Sequence, residues 1–221
     1  MTQALNLRRG LEAWYEFDNR YFDGGANELK DSSGNGITGD VEGGITFGVS
    51  GSDGFDSASF SGDGHIKTRD EREESPFTLF TRAKFDGDDG IQFIVGNYDG
   101  NNNGYAISQN DTEFRFTLPD EGLSAEVDTL SDIWFNAFCI HHGDAVELFV
   151  PELDIHKHGD RDEYDPDKQF DQLTIGGRGL DESSSYRMEG NIAIYAEWSR
   201  VLSQVEQQFL LKMTGPRRMM L

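Results

Sequence analysis

The run Asp99-Gly100-Asn101-Asn102-Asn103-Gly104 is the stretch of this chain whose residue types and spacing come nearest to an ion site. Asp99, Asn101 and Asn103 place oxygen donors at alternate positions and Gly104 suits a sharp turn, as in the first six positions of an Asp-x-Asn-x-Asn-Gly calcium loop. The match ends at the twelfth position, where Asn110 stands in place of a bidentate Glu. A hairpin loop rich in Asn and Gly accounts for the same residues without an ion. Ca2+ is therefore the one cofactor candidate, with Asp99, Asn101 and Asn103 as its ligands. Tyr98 and Tyr105 flank the loop and can stack on a sugar ring. Together Tyr98, Asp99, Asn101, Asn102, Asn103 and Tyr105 make a candidate ligand-binding loop.

Other chemistries find less support. Glycoside hydrolysis needs two carboxylates facing one cleft, one of them kept protonated. Glu16-Phe17-Asp18 supplies two acids, but Asn19-Arg20-Tyr21 follows where a third is required. Glu163-Tyr164-Asp165-Pro166-Asp167 is broken by proline. No catalytic residue is assigned, and an enzyme is not expected. The acids of residues 160–167 lack ordered spacing and read as a solvated loop. His156-Lys157-His158 can in principle bind a transition metal with His141 or His142. With no Cys partner and a lysine between them, they read as surface histidines. The lone Cys139 sits in the apolar run Trp134-Phe135-Asn136-Ala137-Phe138-Cys139-Ile140, excludes an internal disulfide and reads as a small buried hydrophobe. The tail Arg217, Arg218, Met219, Met220 and Leu221 is basic and apolar on an acidic chain. It reads either as a docking peptide for a neighbouring subunit or as a frayed terminus.

The elements that must position these residues are mostly short strands. Twenty-six glycines recur in short clusters, the punctuation of many turns. Strand patterns occupy residues 10–18, 44–48, 58–60, 65–67, 77–85, 91–96, 104–108, 113–118, 134–140, 145–150 and 173–177. Residues 21–28 read as an irregular insertion and 160–171 as a loop. Ile192, Ile194, Ala196 and Trp198 alternate, the period of a strand with one buried face. Ser203 then opens a helix through a capping box with Glu206, with Val205, Phe209 and either Leu210 or Met213 as one apolar stripe. Gly215-Pro216 ends it. About a dozen strands and one late helix predict an all-β fold of two packed antiparallel sheets. One domain is expected over residues 11–214, with an N-terminal arm at 1–10 and the tail at 215–221.

The 221-residue chain carries a net charge of −22, from 41 acidic against 19 basic residues. Such a surface repels nucleic acid and anionic membranes. The basic residues are six lysines and thirteen arginines, and an acidic surplus with few lysines resembles proteins from organisms that live in molar salt. At roughly 1 M salt the Debye length falls to about 3 Å, so repulsion that opposes folding in dilute buffer is nearly cancelled. A halophilic origin is expected. No apolar run reaches membrane-spanning length, and the first nine residues lack the apolar centre of a secretory signal. Synthesis in the cytoplasm, with exit by assembly into a released particle, is the expectation.

Five segments, taken in order, resemble the laminin-G-like, or concanavalin-A-like, jelly-roll family. They are Leu11-Glu12-Ala13-Trp14-Tyr15-Glu16-Phe17-Asp18, Asp31-Ser32-Ser33-Gly34-Asn35-Gly36, Ser75-Pro76-Phe77-Thr78-Leu79, Trp134 with Val146-Glu147-Leu148-Phe149-Val150, and Ile175-Gly176-Gly177 before the closing strand and helix. The resemblance implies a two-sheet antiparallel jelly-roll sandwich with one short C-terminal helix. Many members carry calcium at the rim. Two departures stand out: the family's Ile-Asp-Glu-Val in the last strand loses its acidic pair to Ala193-Ile194, and its aromatic-Val-Asp-Gly turn becomes Phe149-Val150-Pro151-Glu152-Leu153-Asp154, followed by a long acidic loop. The chain also resembles lectin-like surface proteins of tailed viruses that infect haloarchaea. That resemblance implies a non-enzymatic module on a virion surface. Its expected partners are host-surface glycans or glycoproteins, other virion subunits and further copies of itself, without membrane insertion. A purely structural capsid, turret or tail component is the alternative, and a carbohydrate-active enzyme comes third.

Overall fold

A computed structural model describes residues 6–51, 55–68, 76–87, 90–97, 104–110, 113–118, 122–126, 131–160, 172–179 and 186–214. The strands are β1 (Leu11–Glu16), β2 (Phe22–Asp23), β3 (Glu28–Leu29), β4 (Gly39–Glu42), β5 (Ile45–Ser50), β6 (Asp56–Ser61), β7 (His65–Lys67), β8 (Phe77–Phe85) and β9 (Ile91–Gly96). They continue with β10 (Ala106–Asn110), β11 (Glu113–Thr117), β12 (Gly122–Glu126), β13 (Phe135–His141), β14 (Ala145–Val150), β15 (Ile155–Asp160), β16 (Thr174–Ile175) and β17 (Glu189–Trp198). The helix α1 (Gln204–Thr214) follows.

The strands form an eight-stranded sheet in the order β15-β14-β13-β8-β17-β6-β5, with β1 also on β17, and a nine-stranded sheet in the order β12-β11-β10-β9-β16-β7-β4-β3-β2. Their pairings are antiparallel. This is the expected two-sheet jelly-roll sandwich with one C-terminal helix.

Two cores share the eight-stranded sheet. Between the sheets lie Tyr15, Phe17, Phe77, Leu79, Phe85, Phe135, Cys139, Leu148 and their neighbours. On the outer face, Phe80, Phe138, Ile140, Ala193, Ile194, Ala196 and Trp198 pack against Leu202 and Leu210. The central strands β8, β13 and β17 are buried on both faces because both faces are covered. Cys139 is a buried free thiol, as expected, and burial pushes its pKa well up. Leu7 joins the outer core and its carbonyl accepts the Trp198 indole N–H at 2.7 Å, which ties the start of the chain onto that face.

Several local expectations change. The register of β17 on β8 shifts between Ile192 and Ile194, and this bulge turns Ile192 to the inner core while Ile194, Ala196 and Trp198 face outward. One side of β17 thus does not carry all four residues. Residues 21–28, read as irregular, include the short pairs β2 and β3. The helix forms as the capping box predicts, but its stripe does not face the sheet. Leu210 is buried, whereas Val205, Phe209 and Met213 are 66%, 39% and 46% exposed. Glu206, Gln207 and Thr214 take the buried side, because polar partners meet them there: Arg200 and Ser203 for Glu206, the Leu202 carbonyl for Gln207 and Asn136 of β13 for Thr214.

Candidate binding cleft

The β14–β15 hairpin turns through Pro151–Leu153, one turn of 3-10 helix, with Asp154 in the left-handed region at φ 53°. Strand alternation then sorts its side chains. Val146, Leu148, Val150 and Ile155 enter the inner core. Glu147 and Phe149 face outward, and the register pairs Glu147 with His158 and Phe149 with His156. One outer patch therefore holds a carboxylate, an aromatic ring and two imidazoles. His156 Nε2 lies 3.0 Å from Glu147 Oε1 and 2.9 Å from His158 Nε2. His142, in the turn after β13, places Nε2 3.3 Å from Glu147 Oε2. The neighbouring His141 points the other way and stacks on Phe77, ring centroids 5.4 Å apart.

Helix α1 forms the opposite wall. Its N-terminus is fixed by the reciprocal bonds of the capping box: Ser203 N–H donates to Glu206 Oε2 at 2.9 Å and Glu206 N–H to Ser203 Oγ at 3.4 Å. Arg200 adds a fork onto the same carboxylate, at 2.9 and 2.7 Å. That fork is the main reason the Glu206 pKa falls to about 2. At the other end, Thr214 Oγ1 donates to Asn136 Oδ1 at 2.9 Å. Asn136 in turn donates its backbone N–H and Nδ2 to Glu152, at 3.0 and 2.6 Å, within the β14–β15 turn. One chain of hydrogen bonds thus sets helix, central strand and hairpin relative to one another.

Between these walls lies a cleft of about 790 Å3. Phe149, Glu147 and the three outward histidines line one side; Gln204, Gln208 and Leu211 line the other. Gln207 is spoken for, its Nε2 donating to the Leu202 carbonyl at 3.0 Å. The cleft combines an apolar floor with amide, imidazole and carboxylate groups that converge on it, the usual make-up of a small-ligand site.

Sequence reasoning did not assemble this site. It took His156 and His158 as surface histidines, and both are exposed, but it did not see that they belong to the edge strand Ile155–Asp160; of the acidic loop read at 160–171, residues 161–171 lie outside the described residues. The signal was present: a buried Ile155 and histidines two apart, the period of a strand. The ligand loop fares differently. Tyr98, Asp99, Asn101, Asn102 and Asn103 lie outside the described residues, as do Arg217, Arg218, Met219, Met220 and Leu221. Tyr105 is described and is not a sugar-stacking ring: it is 1% exposed and packs 5.6 Å from Phe77. The reason is its pairing with Asn97, whose N–H donates to the Tyr105 carbonyl at 3.0 Å while its Oδ1 accepts the Tyr105 N–H at 2.7 Å. Tyr105 belongs to the base of the hairpin and turns inward. Glu16-Phe17-Asp18 makes no acid pair either, since Arg20 clamps Asp18 at 2.8 Å and holds its carboxyl below the usual range.

No protein-family model matches the chain, and no curated protein matches it in sequence. Solved structures of the same fold exist. A chain of botulinum neurotoxin type C, a toxin whose passage into cells depends upon interaction with two ganglioside molecules, superposes with a TM-score of 0.69 at 14% identity over 96% of this chain. The binding domain of botulinum neurotoxin serotype D gives 0.70 at 14% identity over 94%. The binding domain of botulinum neurotoxin DC, in complex with rat synaptotagmin II, gives 0.67 at 14% over 94%. This chain spans about half the length of each, 53%, 52% and 52%. At such identity the likeness establishes the fold, an antiparallel jelly-roll sandwich, and leaves function to the site.

Proposed function

We propose that this chain is a non-enzymatic, lectin-like surface module of a halophilic virus particle that binds host-surface glycans or glycoproteins. The observation that carries the binding role is the cleft, where Phe149 offers a ring and Gln204, Gln208, Glu147 and the histidines offer hydrogen bonds. Its fold is shared with toxin domains that bind gangliosides or synaptotagmin II, as parts of longer chains. Among the described residues the lining holds a single carboxylate, Glu147, where glycoside hydrolysis would need two. The charge of −22 supports the halophilic part of the reading. Calcium at Asp99, Asn101 and Asn103 remains part of this proposal.

A second reading, a structural particle component without glycan binding, is favoured by the solvent-facing stripe of Val205, Phe209 and Met213. Its occupant is a second copy of this chain, since the basic and apolar residues 217–221 follow the same helix on a strongly acidic molecule.

The test is binding of the full chain, kept in molar salt, to a glycan panel and a host-envelope glycoprotein, with and without calcium. Saturable binding that Gln204→Ala/Gln208→Ala weakens about tenfold or more supports the cleft. Binding lost only in Tyr98→Ala/Asp99→Ala moves the site to the loop. A chain that self-assembles and binds neither class of ligand leaves the structural reading.

A further inference from the structure

The outward patch of the β14–β15 hairpin has a chemistry that glycan binding does not require. Two imidazole nitrogens and a carboxylate oxygen, from His156, His158 and Glu147, all lie within 4.8 Å of one another. We infer that these three residues form a binding site for a divalent transition-metal ion of the zinc type.

Ligand chemistry, geometry and support all point the same way. Imidazole with carboxylate is the donor set of open zinc sites, three protein ligands leaving a fourth position for solvent or a bound molecule. Ligands held about 2.0–2.1 Å from a tetrahedral ion sit about 3.3 Å from one another. The observed separations of 3.0 Å and 2.9 Å about His156 need to open by only a few tenths of an ångström, and the third pair, His158 with Glu147, lies within 4.8 Å. The scaffold is two hydrogen-bonded strands, with Glu147 directly opposite His158 and His156 two residues along the same face. Rigid elements of this kind hold ligands better than loops do.

A second layer is also in place. His142 lies against Glu147 Oε2 and leaves Oε1 toward His156, so it acts as a positioning residue that orients the carboxylate. Phe149, 5.1 Å from His156 between ring centroids, restricts the approach of water from one side. Lys157 alternates to the other face of the strand, which removes the obstacle that its place between the histidines suggests. All three residues line the cleft, opposite Gln204 and Gln208. A hydroxyl or carboxylate of a molecule in the cleft could complete the coordination.

The inference rests on the hairpin alone, not on the glycan reading, and is tested with the metal alone. The full chain, freed of metal by chelation, is titrated with Co2+ and Zn2+ by visible absorption and calorimetry. The expected result is one equivalent bound, intense visible bands of tetrahedral Co2+ that Zn2+ displaces, and a higher melting temperature with Zn2+. His156→Ala, His158→Ala and the near-isosteric Glu147→Gln should abolish the bands. His142→Ala should keep them and weaken affinity about tenfold. Thermal melts without metal establish that each variant is folded. Absence of saturable uptake by the parent chain, or uptake unchanged in His156→Ala/His158→Ala, overturns the site and shows a hydrogen-bonded His–Glu network instead. Metal binding without glycan binding leaves this inference standing and removes the other; the reverse outcome does the opposite.

Discussion

The β14–β15 hairpin presents two faces made by alternate residues of the same two strands, and they could hardly differ more. Inward go Val146, Leu148, Val150 and Ile155; outward go Glu147, Phe149, His156 and His158. What differs is the layer opposite. The nine-stranded sheet packs on the inner face and buries Val146, Leu148, Val150 and Ile155 there. Among the described residues the outer face is covered by one helix of 11 residues, about 16 Å long at 1.5 Å per residue, with Leu7 beside it. Seven strands side by side span about 30 Å, so among the described residues the helix seals the centre and the outward side chains of β15 stay exposed. Titratable side chains collect where cover stops, because there they keep part of their hydration.

The largest effect should come from exchanging equivalent positions across that divide. Leu148→Ala empties a fully buried site and should cost about 2–5 kcal/mol in denaturant unfolding. His158→Ala, next door on the exposed face, should cost about 0.5 kcal/mol or less. If the two losses were alike, the contrast between a structural and a functional face would fail.

Next in size is the helix anchor. Glu206 has its pKa lowered to about 2 from a model-compound value of 4.5, chiefly by the Arg200 fork. A carboxyl whose folded pKa is depressed stabilises fully above the unfolded value. Its contribution is lost as pH falls from about 4.5 toward 2. Glu206→Gln keeps an acceptor for the Ser203 amide and removes only the charge, so it should cost about 2 kcal/mol at pH 7. The deficit should shrink steadily on acidification to pH 3, read by denaturant melts at each pH. A deficit independent of pH would mean that the pair contributes geometry and not charge. Thr214→Val should follow at about 1–2 kcal/mol, because it leaves the buried Asn136 Oδ1 without the Thr214 hydroxyl. A larger loss of cleft ligand binding than of stability in that variant would show that the hydrogen-bond chain positions the wall.

Much of the architecture was legible because it is written locally. Alternation and β-formers in residues 77–85 and the apolar run at 134–140 marked the central strands, and Ser203 with Glu206 marked the helix start. What escaped depends on the far side of the molecule. The bulge that turns Ile192 inward breaks a perfect local alternation, since β17 must pair with β8 and also with β1 and β6. Tyr105, read as a loop-flanking ring open to a sugar, turns inward once Asn97 claims its backbone. The cleft was the least legible feature: His142, Glu147, His156 and His158 meet only through the β14–β15 register, and β15 is an edge strand with one buried residue of six beneath its polar sequence.

The helix repeats the contrast of the hairpin in reverse, and its outer face should give the smallest effect. Its buried side is mostly polar, Glu206, Gln207 and Thr214 beside Leu210, while Val205, Phe209 and Met213 face solvent. Apolar groups that stay in water gain little on folding, so Val205, 66% exposed, contributes almost nothing by burial. As a β-branched residue it also disfavours the helix relative to alanine by about 0.5 kcal/mol. Val205→Ala should therefore leave stability unchanged or raise it by up to about 0.5 kcal/mol. If instead the stripe packs against a second copy, sedimentation at increasing protein concentration should show weaker association for Val205→Ala/Phe209→Ser than for the parent chain. A loss of monomer stability in Val205→Ala would mean that the outer face of α1 is covered within the chain itself, and the contrast between its two sides would disappear.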